Sequence, residues 1–192
     1  LPDNPGVPTH GRRLVATCAA VDTSYAALTT LGPPARALPF ATGDEGTPCW
    51  SEQLAVTASP TEGAVGHRAA TLTFSLVGGE PCTLTGYPWV DSGSGGSAIH
   101  AEPTLRGYMG GLPPSVDVPP SVILSISTQA QAIVEGMAVD GSGDPCPSYT
   151  DLHVSPADIN MVFTVPAAID ACQLQVHPVT AVPTAGDQSE PT

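Results

Sequence analysis

The chain has 192 residues and a formal net charge of −13, with 18 acidic residues against five basic ones. That balance argues strongly against nucleic acid and an anionic membrane surface as partners, and no apolar run approaches the roughly eighteen residues that a spanning helix needs. With 20 glycines, 22 prolines and no lysine the chain is too punctuated for long helices, and its length suits one domain with extensions.

Residues 1–11 are rich in Pro and Gly and read as extended chain. Leu1 rather than Met in first place is expected of a processed or truncated product, with any signal peptide already removed. "VATC" at 15–18 has the outline of a lipobox, but no apolar core precedes it and Thr17 is a poor neighbour for a lipidated cysteine. Apolar residues then recur at Leu14, Cys18, Val21, Tyr25 and Leu28, the spacing of one helical face. Gly32, Pro33 and Pro34 stop that helix, although Arg12 and Arg13 sit at its unfavourable positive end. Its apolar face is expected to dock on a sheet face or edge. Residues 32–48 read as a linker, so 1–48 form an N-terminal extension.

From Cys49 the pattern turns to strands. "QLAVTA" (53–58) alternates, and "HRAATLTFSLVG" (67–78) alternates better, with Ala70, Leu72, Phe74 and Leu76 on one face and Thr71, Thr73 and Ser75 on the other. "CTLTGYP" (82–88) follows a Gly-Gly-Glu-Pro turn. Cys82, Leu84 and Gly86 share a face there, Gly86 permits a bulge or close approach, and Pro88 ends the ladder. Further strands are predicted at 97–102, 121–128, 130–139, 151–156, 160–165 and 173–179. Short strands at this spacing predict an all-β, antiparallel two-sheet sandwich over 49–182, with a flexible acidic tail at 183–192.

Cys49, Cys82, Cys146 and Cys172 are dispersed among these strands without a C-x-x-C pair. They fit two structural disulfides in an oxidising compartment rather than a zinc ribbon, and the spacing leaves the connectivity open. "PCW" (48–50), "GAVGHRAATLTFSLVGGEPCTLTGYPWV" (63–90), "DPCPSYTDLHVSP" (144–156) and "DACQLQVHPV" (170–179) resemble the actinobacterial family catalogued as domain of unknown function 4232. The resemblance covers about residues 49–179. It implies an exported protein or lipoprotein of the cell envelope with an immunoglobulin-like sandwich, and it carries the four cysteines over as disulfide partners. The pairing expected is Cys49–Cys82 and Cys146–Cys172, each flanking a contiguous segment, with Cys18 free. The family has no assigned activity, so no functional residues come with it.

Chemistry is sparse. There is no G-x-S-x-G, P-loop, dinucleotide fingerprint or H-E-x-x-H, so an enzyme is not expected. His10, His67, His100, His153 and His177 match no metal signature and read first as surface or satisfied strand histidines. The alternative is a copper site with Met109, Met137 or Met161. "DGSGDP" (140–145) offers Asp140, Ser142 and Asp144 at alternate positions, a calcium-like spacing that more simply makes an acidic turn. Tyr87, Trp89 and Tyr108 are the candidate contacts for a sugar or protein partner, against a plain packing role. The expected function is therefore a secreted or cell-envelope binding module for a protein or glycan, without a cofactor; the alternative is a copper, calcium or small-ligand binder.

Overall fold

The computed structural model describes residues 46–183. The expected helix over residues 14–28, with Cys18 on it, lies outside them, as does the tail beyond residue 183. Among the described residues there is no α-helix. One 3-10 turn, Ser51–Gln53, precedes twelve strands.

The largest sheet is built on two long strands, β3 (His67–Leu76) and β8 (Ala130–Met137). Their antiparallel register sets Phe74 opposite Ala130, Leu72 opposite Ala132 and Ala70 opposite Val134, so large and small apolar side chains alternate across the pair. All six are buried, while Thr71, Thr73 and Ser75 take the opposite face. The other edge of β3 carries β1 (Leu54–Ala58) and β2 (Glu62–Ala64); that of β8 carries β11 (Leu174–Val176) and β12 (Thr180–Ala181). β6 (Ala101–Pro103) closes the sheet beside β11.

Two smaller sheets complete the core. β5 (Trp89–Ser92), β9 (Ser148–Ser155) and β10 (Phe163–Asp170) form one, in the order β10-β9-β5. β4 (Cys82–Thr85) and β7 (Ser121–Leu124) form the other. A single apolar cluster takes Leu72, Phe74 and Val134 from the large sheet, Val90, Leu152 and Ile169 from the second, and Leu84 and Leu124 from the third. Burial of this kind stabilises by about 25 cal/mol for each Å² of apolar surface removed from water.

Four expectations need correction. The strands form three sheets, of seven, three and two strands, rather than the two expected. The sheets are not wholly antiparallel, because β6 runs parallel to β11. Much of the chain intervenes between these two strands, which allows the crossover that a parallel pair needs. The strand expected at 160–165 begins only at Phe163 and runs on to Asp170. Pro166 is tolerated because β10 is an edge strand and its register shifts just there. The strand expected at 121–128 ends at Leu124, where Ser125 and Thr128 close a tight turn.

Candidate functional site

Gly86, Tyr87 and Pro88 form a corner that carries the chain from β4 in the two-stranded sheet to β5 in the three-stranded one. Gly86 has φ +91°, a left-handed conformation that a side chain would strain, and its carbonyl accepts a hydrogen bond from Val179 N–H at 2.8 Å. The corner delivers Tyr87 and Trp89 to one open cleft of about 700 Å³. The opposite wall is the connection between β9 and β10, with Pro156, Asp158, Asn160 and Val162.

Trp89 is 59% exposed, yet its ring is held in place. Its Nε1–H donates to Asp91 Oδ2 at 3.0 Å, and the His100 ring lies against it at a centroid distance of 3.8 Å. The His100 Nδ1 atom in turn lies 2.9 Å from Asp91 Oδ1. Both oxygens of Asp91 are thus engaged in fixing the indole. Burial raises the Tyr87 phenol above its ordinary 10.0, only partly offset by the Arg106 charge, so the hydroxyl stays neutral.

A second cleft of about 470 Å³ shares Ala157 and Asp158 with the first. Its floor is the outward row of β4 and β7, with Thr83 opposite Ile123 and Thr85 opposite Ser121. Asp158 stands where the two clefts meet, with a left-handed φ of +63°. Such a φ is uncommon outside glycine, though Asp tolerates it better than most residues.

Tyr108 is not brought to this surface. It stacks on His67, with ring centroids 4.2 Å apart and planes 12° from parallel. Beneath it is Glu135, a carboxylate only 4% exposed on β8. Glu135 Oε1 accepts from Tyr108 N–H at 3.0 Å, and Oε2 accepts from Met109 N–H at 2.8 Å. His177, 1% exposed, places Nε2 3.2 Å from Oε2 and Nδ1 3.0 Å from the Thr104 carbonyl. His67 Nδ1 lies 3.8 Å from Oε1. Burial alone would raise the Glu135 pKa. The Met109 and Tyr108 amides and His177 outweigh it and hold the carboxyl below its ordinary value. This cluster clamps the segment from Thr104 to Met109 onto the large sheet.

The histidines therefore fall into two groups. His67 and His177 flank Glu135, whereas His153 lies on β9, 3.4 Å from Asp151, and His100 pairs with Asp91 of β5 from the segment before β6. His10 lies outside the described residues. In the 140–145 turn, Asp140 Oδ1 accepts from the Ser142 and Asp144 amides at 2.8 and 3.0 Å, which lowers its pKa. Among the described residues no group of three or more His, Cys, Asp or Glu is placed to hold a metal ion.

Both disulfides join the expected partners, Cys49–Cys82 and Cys146–Cys172. The chain belongs to the family described as Domain of unknown function (DUF4232). That family's model matches residues 49–182, which include all four bridged cysteines and the Trp89 cleft. No curated protein and no solved structure matches the chain. Two disulfides are consistent with an oxidising compartment, and among the described residues no helix is long and apolar enough to cross a membrane.

The sequence marked Tyr87 and Trp89 as candidate contacts and His100 only as one of five histidines, and it did not single out Asp91, Asp158 or Glu135. Glu135 had a usable signal: a lone charge inside the apolar run "AIVEGM" must be paired if that run is a central strand.

Proposed function

We propose that this chain is an exported, non-catalytic binding module of the cell envelope, with its sheets arranged as an immunoglobulin-like sandwich. Its recognition surface is the cleft lined by Tyr87 and Trp89, and its partner is an envelope protein or glycan. One observation carries the reading. Trp89 is 59% exposed and yet fixed by Asp91 and His100. A large aromatic ring held rigid at the surface loses little freedom when a partner covers it, so more of the contact energy is kept as affinity.

The test compares the intact protein with Trp89→Ala for retention of purified envelope proteins and neutral glycans, with thermal unfolding as the control for folding. Selective loss of retention in Trp89→Ala supports the reading. Reproducible hydrolytic turnover, removed by replacing one Ser, His or Asp, overturns it. Stoichiometric copper or calcium uptake, unaffected by Trp89→Ala, replaces it with a metal-binding role.

A further inference from the structure

We infer that the occupant of the Trp89 cleft is an extended basic peptide segment, which runs on into the second cleft and sets a Lys or Arg side chain between Trp89 and Asp158. This rests on the binding reading above and adds the chemistry of the partner.

Trp89 offers a π surface but no donor, because its indole N–H is already given to Asp91. Asp91 is already engaged at both oxygens, one by Trp89 and the other by His100. A sugar hydroxyl or a carboxylate seeking that N–H finds it taken. A cation needs only the ring face and a nearby carboxylate, and cation–π contacts of this type contribute about 0.5–2 kcal/mol. The carboxylate is Asp158, which lines the same cleft.

Nothing cationic competes for that carboxylate among the described residues. Arg68 is paired with Asp170 and Arg106 with Asp117. The whole chain carries −13, which favours the approach of a basic segment and disfavours an anionic one. Extension follows from the shape of the surface. The first cleft shares Ala157 and Asp158 with the second, whose floor holds Thr83, Thr85, Ser121 and Ile123. There Thr85 Oγ1 and Ser121 Oγ are bonded to each other at 2.7 Å and Thr83 Oγ1 is buried, so the exposed Ile123 is the open part of the floor and suits the apolar stem of a peptide side chain better than a sugar hydroxyl. Asp158 at the junction is then met by a side chain from the middle of the segment.

The experiment uses the full chain and three probes: a blocked decapeptide of alternating Lys and Pro, the same peptide with Gln for each Lys, and a neutral tetrasaccharide of β-1,4-linked N-acetylglucosamine. Binding is measured by calorimetry. In a Trp50→Phe background Trp89 is the one remaining tryptophan, so its emission locates the contact. The Lys peptide is expected to bind and shift that emission, to weaken about threefold to fivefold in Asp158→Asn, and to weaken again between about 0.05 and 0.5 M salt. Equal binding of the Gln peptide, or affinity unchanged by both Asp158→Asn and salt, overturns the inference. Failure of the Lys peptide to bind overturns it as well. Tetrasaccharide binding that is lost in Trp89→Ala but kept in Asp158→Asn overturns it while leaving the binding module standing.

Discussion

Replacing Glu135 tests the clamp that fixes the loop after β6. The carboxylate is 4% exposed and serves three partners: Tyr108 N–H, Met109 N–H and His177 Nε2. Hydrogen bonds to charged groups contribute about 1.5–3 kcal/mol each, and they do not add. Breaking one side of a buried pair costs about 3–5 kcal/mol. Glu135→Gln keeps one acceptor oxygen and should fall near 3 kcal/mol, while Glu135→Ala should approach the upper figure. Urea unfolding reads the total. Hydrogen exchange at Tyr108 and Met109 reads the site, and those two amides should lose protection before the β3–β8 pair does. The sign with pH follows from a carboxyl held below its ordinary 4.5. Its contribution is complete above 4.5 and fades as pH falls through the lower folded value. The wild-type loop should therefore loosen in acid, and the Gln variant should be flatter over that range. An unchanged urea midpoint together with unchanged protection at both amides would refute the clamp.

Further outcomes follow from single positions. Gly111→Ala should destabilise by about 1–3 kcal/mol in thermal unfolding; φ is +110° there, and a Cβ would meet Arg106 Cα and the Leu105 carbonyl at 2.5 Å. Phe74→Ala removes a fully buried ring between the sheets; a loss of about 3–5 kcal/mol is expected from denaturant midpoints. Trp89→Ala should shift stability by less than about 1 kcal/mol because the ring is largely exposed; a larger drop would mean that the indole is part of the core.

Alternation reveals a strand where a long apolar face alternates with Thr and Ser, as in β3. It fails where the strand is short. β5 is only Trp-Val-Asp-Ser, with Val90 and Ser92 turned inward. A buried serine and an exposed tryptophan invert the usual pattern, so the strand passes for a turn. Pro166 hides the second half of β10, because a proline reads as a stop until the strand is known to lie on an edge. The four cysteines were legible as disulfide partners through the family resemblance, and the pairing expected, each bridge flanking one contiguous segment, is the one found, with separations of 33 and 26 residues. The Trp89–Asp91–His100 group was not. Asp91 and His100 meet by pairing across a loop, and no spacing rule predicts that contact. Tyr108 illustrates the converse: aromatic identity groups it with Tyr87 and Trp89, and the backbone leaves it exposed elsewhere, stacked on His67.

Both cleft walls belong to the small sheets, and both are tied by disulfides. β9 and β10 form a hairpin whose tip is the Pro156–Val162 wall and whose open end is closed by Cys146–Cys172. The Ala171 N–H also donates to the Pro147 carbonyl there, at 2.9 Å. Cys49–Cys82 holds the segment before β1 alongside β4, where Cys49 N–H donates to the Thr83 carbonyl and Thr83 N–H to that of Thr47. A two-stranded sheet is marginal alone, whereas β3 and β8 are long, central and buried on their inner faces. The chain-entropy account assigns each bridge about 3.5–4 kcal/mol, and that constraint acts nearest the segments it joins. Mild reduction should therefore raise hydrogen exchange in residues 82–85 and 155–162 first, while the Leu72–Ala132 region stays protected. The binding proposed for the cleft would then be lost before the fold. Simultaneous loss of protection in both regions would show instead that the bridges stabilise the domain as one cooperative unit, with no separate hold on the cleft.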